Sequence, residues 1–373
     1  MSFINLGDVI EITPKIPKLS PDTEVSFLAM SDISKEGIIT NNYRRKYSEV
    51  SKGYSGFCES DVLVAKITPC FENGKGALAT GLINGVGFGS TEFYILRSSD
   101  KIIPYILLHI TQNKYFRLKG KSQMTGSAGH KRIPQSFIEN YKIFLPPLPE
   151  QQKIANILRA WDESIKILTK LCEIKQQIYK AVAKDIFDNQ AKGEKWQTVK
   201  LSGISTIRKG KQLNRLDMKG GLYPVWNGGV IPSGFTDEWN MEANIITISG
   251  GGNSCGFVNL CKERFWLSSC CYAITKLSSN INQYFLFFQL KKIEQKIMKL
   301  RVGTGLPSIS KPSIENYLVY IPSIERQNQI ANYLNSLRDE LETYKKELEL
   351  IKKQKQGLIQ KLLTGEWRVQ VDK

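Results

Sequence analysis

The chain of 373 residues contains no run of eighteen or more apolar residues, and it opens without a basic segment followed by an apolar stretch. A membrane-spanning helix or a secretory leader is therefore not expected, and a cytoplasmic location is. Histidine is almost missing, with His109 and His130 the two copies, and the seven cysteines show no CxxC spacing. Cys255 and Cys261 are separated by five residues, and Cys270 and Cys271 are adjacent. This pattern argues against a zinc site or a disulfide framework and for reduced thiols. No Gly-x4-Gly-Lys-Ser/Thr occurs, so Gly250-Gly251-Gly252-Asn253 is not a nucleotide P-loop. Gly85-Val86-Gly87-Phe88-Gly89 opens no helix and reads as a turn rather than a dinucleotide fingerprint. The Asn/Asp-Pro-Pro-aromatic motif of amino-methyltransferases, a nuclease carboxylate cluster and helicase motifs are missing as well, and His109 falls within an apolar helical pattern that reads as core. With several classes of nucleic-acid enzyme missing together, binding is favoured over catalysis.

What is present begins with charge. The formal net charge is +17, and its distribution is uneven: +5 over residues 1–145, +2 over 146–195, +8 over 196–320 and +2 over 321–373. A basic excess gathered in two globular segments points to a polyanion, most often nucleic acid.

The chain also contains one passage twice. Ile138-Glu139-Asn140-Tyr141 returns as Ile314-Glu315-Asn316-Tyr317, and Ile154-Ala155-Asn156 as Ile330-Ala331-Asn332, at a constant offset of 176 held from about Gly129/Gly305 to about Phe187/Leu363. So long a period is a duplicated half-protein, not a solenoid. Each copy contains a long helical pattern. From Leu148 to about Asp188 no glycine occurs, and no proline after Pro149. Apolar residues stand at Ile154, Leu158, Trp161, Ile165, Leu168 and Cys172, with Lys175 the one break. The second copy places Ile330, Leu334, Leu337, Leu341, Tyr344, Leu348 and Ile351 in the same register, with Lys355 as its break. A stripe of period 3.5 over more than four heptads is a coiled-coil seam, on helices of about 60 Å. Two seams of matched length in one chain are expected to pair antiparallel, since a parallel pair would require the domain between them to span the rod. Lys175 and Lys355 then mark places where a partner or solvent reaches the seam, or simply snorkel. Gly365 reads as a helix C-cap, and residues 189–194 as a polar linker.

The globular segments read as mixed α and β. Strand-like runs at 61–67 and 244–249 each lead into a loop, runs at 90–96 and 268–274 match each other, and helical stretches follow at 104–119 and 282–300. Candidate nucleic-acid contacts lie in the loops and in one charged, aromatic stretch. They are Arg44 and Arg45 between Tyr43 and Tyr47; Lys66, Thr68, Asn73 and Lys75; Ser127, Lys131 and Arg132; Tyr223 and Asn227; Ser249 and Asn253; Thr304 and Ser308. Small residues permit close backbone approach, and hydroxyls, amides and cations suit phosphate oxygens. Each of these segments is equally compatible with an ordinary solvated connection, and Trp226 with either core or base contact.

Two variable segments alternating with two repeated long helices, each entered through a proline turn, resemble the specificity subunit of type I restriction–modification systems. The residues that carry the resemblance are Pro146-Pro147-Leu148-Pro149-Glu150-Gln151-Gln152 and Ile321-Pro322-Ser323-Ile324-Glu325-Arg326-Gln327, where Ser323 and Arg326 depart from the pattern. Leu358-Ile359-Gln360-Lys361-Leu362-Leu363-Thr364-Gly365, Trp196-Gln197-Thr198-Val199-Lys200-Leu201 and Asn73-Gly74-Lys75-Gly76 add to it. The resemblance implies an α+β chain with pseudo-two-fold organisation: target recognition domains at 1–145 and 191–320, and helical spacers at 146–190 and 321–373 forming an antiparallel coiled coil. It implies a non-catalytic reader of a bipartite, asymmetric site in double-stranded DNA, docking two modification subunits and, through them, restriction subunits. S-adenosylmethionine, ATP and magnesium would be bound by those partners, none by this chain. The alternatives are the specificity subunit of a related multisubunit type II enzyme, or a coiled-coil scaffold whose basic domains bind RNA or an acidic protein.

Overall fold

The computed structural model describes residues 3–127, 129–188, 196–218, 220–303 and 305–371, apart from the side chain of Arg215. The expected linker at 189–194 lies outside them. The chain divides into two compact units, Met1–Leu168 with Glu347–Lys373, and Thr169–Lys346. Each unit therefore takes part of both long helices, Leu148–Asp188 and Ile324–Leu363, of 41 and 40 residues.

The main sheet of the first unit has four antiparallel strands in the order Ile10–Ile12, Phe93–Ser98, Val62–Ala65, Gly76–Leu78. The main sheet of the second repeats that topology with Thr206–Lys209, Cys271–Thr275, Ile245–Ser249 and Val258–Cys261. The central strands Val62–Ala65 and Ile245–Ser249 are almost wholly buried and largely β-branched, the composition that a covered central strand requires. A second sheet is also shared: Glu24–Leu28 pairs antiparallel with Tyr43–Lys46 and parallel with Val86–Gly89. Its counterpart Tyr223–Trp226 pairs antiparallel with Gly234–Thr236 and parallel with Trp266–Leu267. The first unit adds one strand, Ser55–Cys58. The duplication thus extends through the domains whose residues had diverged.

Two sequence expectations change here. Residues 86–89 form a buried strand rather than a turn, because a Cβ at Gly87 would lie 2.3 Å from the Phe57 ring and one at Gly89 2.4 Å from the Leu28 carbonyl. The helical stretch at 104–119 is two helices, Pro104–Gln112 and Lys114–Ser122. Asn113 between them is extended, and its side chain accepts from the Tyr115 N–H at 2.8 Å, capping the second helix. The stretch at 282–300 likewise divides into Gln283–Lys292 and Glu294–Met298.

Within each unit the long helices pair antiparallel. In the first, Ile154, Ala155 and Leu158 share a core with Leu362, while Asp162 further along meets Lys355 further back. In the second, Lys175 pairs with Glu340 at 2.6 Å, while Val182 and Ile186 lie beside Ile330. The seam residues Ile154, Leu158, Leu168, Leu334, Leu341 and Leu348 are buried, and Trp161, Ile165, Leu337, Tyr344 and Ile351 half-buried. Both seam lysines are engaged by a carboxylate of the other long helix, which explains why the seam tolerates them.

The turns that open the helices have a structural function. The Gln151 side chain accepts from the Ile103 N–H at 3.0 Å and donates to the Lys101 and Pro146 carbonyls at 2.9 Å each. Gln327 accepts from the Asn282 N–H at 2.8 Å and donates to the Asn280 and Pro322 carbonyls at 3.0 Å each. One amide in each unit thus fastens a long helix to the start of the domain's own helix. At the other end of the chain, the Arg368 guanidinium grips the buried Glu150 carboxylate at 2.6 and 2.8 Å and holds it below the usual carboxylate range.

The units differ where domain helix meets long helix. In the first, Asp162 accepts from the Tyr105 hydroxyl and pairs with Lys355, with His109 Nε2 3.8 Å away and, among the described residues, without a hydrogen-bond partner. In the second, Phe288 occupies the place of His109, counted from the glutamine-bonded amides, and packs under the Arg338 guanidinium at 5.3 Å. Burial drives the His109 pKa from 6.5 down to about 4, Lys355 pushing the same way and Asp162 opposing. The unfolded chain accepts this proton near 6.5 and the folded chain only near 4, so stability falls as pH drops through that window. Between pH 7 and pH 5 the His109 contribution is a loss of about 2 kcal/mol. His109→Phe, copying the second unit, is expected to remove that slope. Denaturant midpoints at the two pH values measure it, and a slope equal to that of the parent would place its origin elsewhere.

Candidate nucleic-acid interface

In the first unit the strand Val62–Ala65 runs into the loop 66–75, and the backbone joins that loop to the hairpin at 125–132. The Thr68 N–H donates to the Lys131 carbonyl at 2.9 Å, the Ile133 N–H to the Lys66 carbonyl at 3.0 Å, and Thr125 and Arg132 exchange bonds of 3.0 and 2.9 Å. The Tyr94 hydroxyl secures the hairpin from beneath, donating to the Ile133 carbonyl at 3.0 Å. Phe71 anchors the loop in a cluster with Phe116 and Phe137. Gly74 adopts a φ of +74°, which favours glycine, and the Arg117 guanidinium lies where a Cβ would stand, 2.0 Å from Nη1.

Lys66, Thr68, Asn73, Lys75, Ser127, Lys131 and Arg132 are thereby brought to one edge. Asn73, Ser127, Lys131 and Arg132 are exposed, and Lys66 and Thr68 half-buried. The Lys66 ammonium lies over the Tyr94 ring at 5.3 Å, and Lys75 donates to the Met30 carbonyl at 2.8 Å, tying in the loop that follows Glu24–Leu28. Arg132 forks onto Glu92, with contacts of 2.7 and 2.9 Å, and holds that carboxyl below its ordinary range, Lys66 and His130 adding to the effect. Arg44 and Arg45 belong elsewhere: they sit on the exposed edge strand Tyr43–Lys46, with Arg44 paired to Glu24 at 2.7 Å and Lys46 to Asp22 at 2.9 Å. Charged side chains on an edge strand also discourage sheet-to-sheet association.

The second unit builds the same junction from other residues. The Gly252 N–H donates to the Pro307 carbonyl at 2.9 Å and the Ile309 N–H to the Gly250 carbonyl at 3.0 Å, while Val302 and Ser308 exchange two bonds of 2.9 Å. The Tyr272 hydroxyl donates to the Ile309 carbonyl at 3.1 Å, the counterpart of Tyr94. Ser249 is buried and donates to the Gly228 carbonyl at 2.7 Å, which draws the 227–229 turn and its Asn227 to the same edge. Asn227, Asn253 and Ser308 are exposed there. Trp226 packs against an inner cluster with Met241 and Phe265, on the core side of the two readings. Tyr223 packs against Trp239 in a tilted arrangement, 4.8 Å between centroids, and the Arg264 guanidinium covers Trp239 at 4.8 Å. Thr304 lies outside the described residues.

Sequence reasoning missed Arg117 and Glu92. Arg117 stands under the 66–75 loop, half-buried, its Nε without a hydrogen-bond partner among the described residues. Nothing local marks it, since it reaches the loop only through the packing of the helix Lys114–Ser122. Glu92 orients Arg132 from a position 40 residues earlier, a pairing equally invisible along the chain. Among the described residues, no group of three or more histidines, cysteines or acids is placed to hold a metal ion, and no helix is long and apolar enough to cross a membrane.

The arrangement offers two loop clusters, one cationic and one rich in glycine and amide, each on its own copy of one topology. Comparison with known proteins gives this a family. The family described as "Type I restriction modification DNA specificity domain" matches residues 1–178 and 193–353. The EcoEI specificity subunit of Escherichia coli is 44% identical over 155 residues, covering 41% of this chain and 26% of that relative's length. The putative MjaX specificity subunit of Methanocaldococcus jannaschii is 26% identical over 344 residues, covering 83% and 79% of the two chains. A solved S subunit of a type I restriction–modification system from M. genitalium shares the fold, with a TM-score of 0.68 and 20% identity over 97% of this chain and 96% of its own. The chain belongs to the type I restriction–modification DNA specificity family.

Proposed function

We propose that this chain is the sequence-reading, non-catalytic subunit of a type I restriction–modification complex. It would read one half of a bipartite, asymmetric site in double-stranded DNA with each unit's loop cluster and position two modification subunits for adenine methylation. Restriction subunits would join through those modification subunits, and S-adenosylmethionine, ATP and magnesium would be bound by the partners. The observation that carries the reading is the duplicated junction of loop and hairpin, held by matching backbone bonds and matching tyrosines yet presenting different side chains. A common scaffold with divergent tips is what an asymmetric two-part site asks for, with backbone contacts supplying affinity and groove contacts supplying choice.

The test is an adenine methylation map of cells with and without this gene. Loss of one bipartite, asymmetric methylated sequence is the expected result. An unchanged map from cells in which the chain co-purifies with modification subunits would overturn the reading. Lys66→Ala and Asn73→Ala are expected to relax or abolish one half of that sequence, and Asn253→Ala the other, with the complex still assembled. Unaltered site choice in all three would remove these loops from the interface.

A further inference from the structure

Three loops meet at one edge of the second unit. Ser249 fastens the turn after Tyr223–Trp226 to the 250–253 loop, and the Gly251–Ser308 and Gly252–Pro307 pairings fasten that loop to Pro307 and Ser308, the latter bonded in turn to Val302. Over 226–233, 250–258 and 302–309 there is no charged residue, Arg301 flanking the last segment. Beside the exposed Asn227, Asn253 and Ser308 project aliphatic side chains: Leu306 is 86% exposed and Ile231 71%, with Val230 and Val302 also more than half exposed. Single exposed aliphatic residues are ordinary, but two pairs on two loops that are both bonded to the 250–253 loop are unusual on an edge without charge. The matching edge of the first unit carries Lys66, Lys131 and Arg132 and has Arg117 beneath it.

On the reading proposed above, this edge faces DNA. Among the base edges of the major groove, thymine alone presents a methyl group, and aliphatic side chains are its natural partners, whereas Arg and Lys suit phosphate and guanine. We infer that the second unit selects its half-site by aliphatic contact with thymine 5-methyl groups, with Ile231 and Leu306 as specificity-determining residues.

The experiment uses the complete complex with its modification subunits and duplexes carrying the methylated sequence. Each thymine of both halves, on both strands, is replaced singly by deoxyuridine, which removes only the methyl group. One methyl buried against an aliphatic side chain is worth about fourfold in affinity. The expected result is such a loss at one or more positions of one half, abolished at those positions in Ile231→Ser or Leu306→Ser and unchanged in the other half. Deoxyuridine that is neutral throughout that half, losses that survive both substitutions, or a half made wholly of G·C pairs would overturn the inference while leaving the specificity reading intact. Loss of assembly in Leu306→Ser with the deoxyuridine losses retained would assign the patch to a protein partner and overturn it likewise. A parent complex with no preference for the methylated sequence over a scrambled one would overturn both.

Discussion

Replacing Gln151 by methionine is expected to lower stability by about 3–6 kcal/mol, and replacing Gln327 by methionine to do the same. Both glutamines are buried, and each satisfies three backbone groups: one N–H and two carbonyls. Methionine fills a similar volume, so little cavity is opened and the cost is that of the groups left unpaired. Each buried backbone group without a partner costs about 1–3 kcal/mol, and because two of the three bonds in each set are only part-buried the sum falls in the lower half of the resulting range of about 3–9 kcal/mol. Denaturant unfolding of the two variants measures the effect, and a loss below about 1 kcal/mol in both would show that the amides are replaceable by water.

The second large effect is expected at Asp61. Its carboxylate is 1% exposed and accepts from Arg97 Nε at 2.8 Å, Arg97 Nη2 at 2.7 Å and the Cys58 N–H at 2.7 Å. The pair joins the main sheet of the first unit, through Arg97, to the second sheet, through Cys58. Asp61→Ala would leave a guanidinium partly buried without its anion and one N–H without its acceptor, a cost of about 3–5 kcal/mol. Glu24→Ala, which removes an exposed partner of Arg44, is the matched control and is expected to leave the unfolding midpoint unchanged. Equal effects from the two substitutions would refute the argument that burial, and not pairing alone, sets the cost.

The parts of this fold legible along the chain are those governed by local period or by copying. The offset that aligns Tyr141 with Tyr317 also aligns Gln151 with Gln327, and the seam from Ile154 to Leu168 needed only its spacing to be seen. Pairing followed from the matched lengths of the two helices, and its antiparallel sense from the domain between them, which a parallel pair would force to span the rod. The loops at 66–75 and 125–132 were recognisable one by one, from glycine, hydroxyl and charge. Their joining was not, because it depends on the register that sets Thr68 against Lys131, 63 positions apart. The helix break at Asn113 was hidden by the apolar pattern around it, and became plain only once its side chain was seen to cap the next helix. Charge at Lys66 and Lys131 marked the first cluster, and glycine, hydroxyl and amide marked the loops of the second, but its exposed Ile231 and Leu306 carried no signal of their own.

The two units are also assembled in different ways during synthesis. Thr169–Lys346 is one continuous stretch, so every residue it uses has been made once the ribosome passes position 346. The first unit begins earlier and finishes later. Glu150 meets its partner Arg368 only after 218 further residues have been added, about 10–40 s at usual elongation rates. Throughout that interval Ile154, Ala155 and Leu158 lack the Leu362 side of their core. The nascent chain thus holds an apolar helix face open until its own last residues arrive.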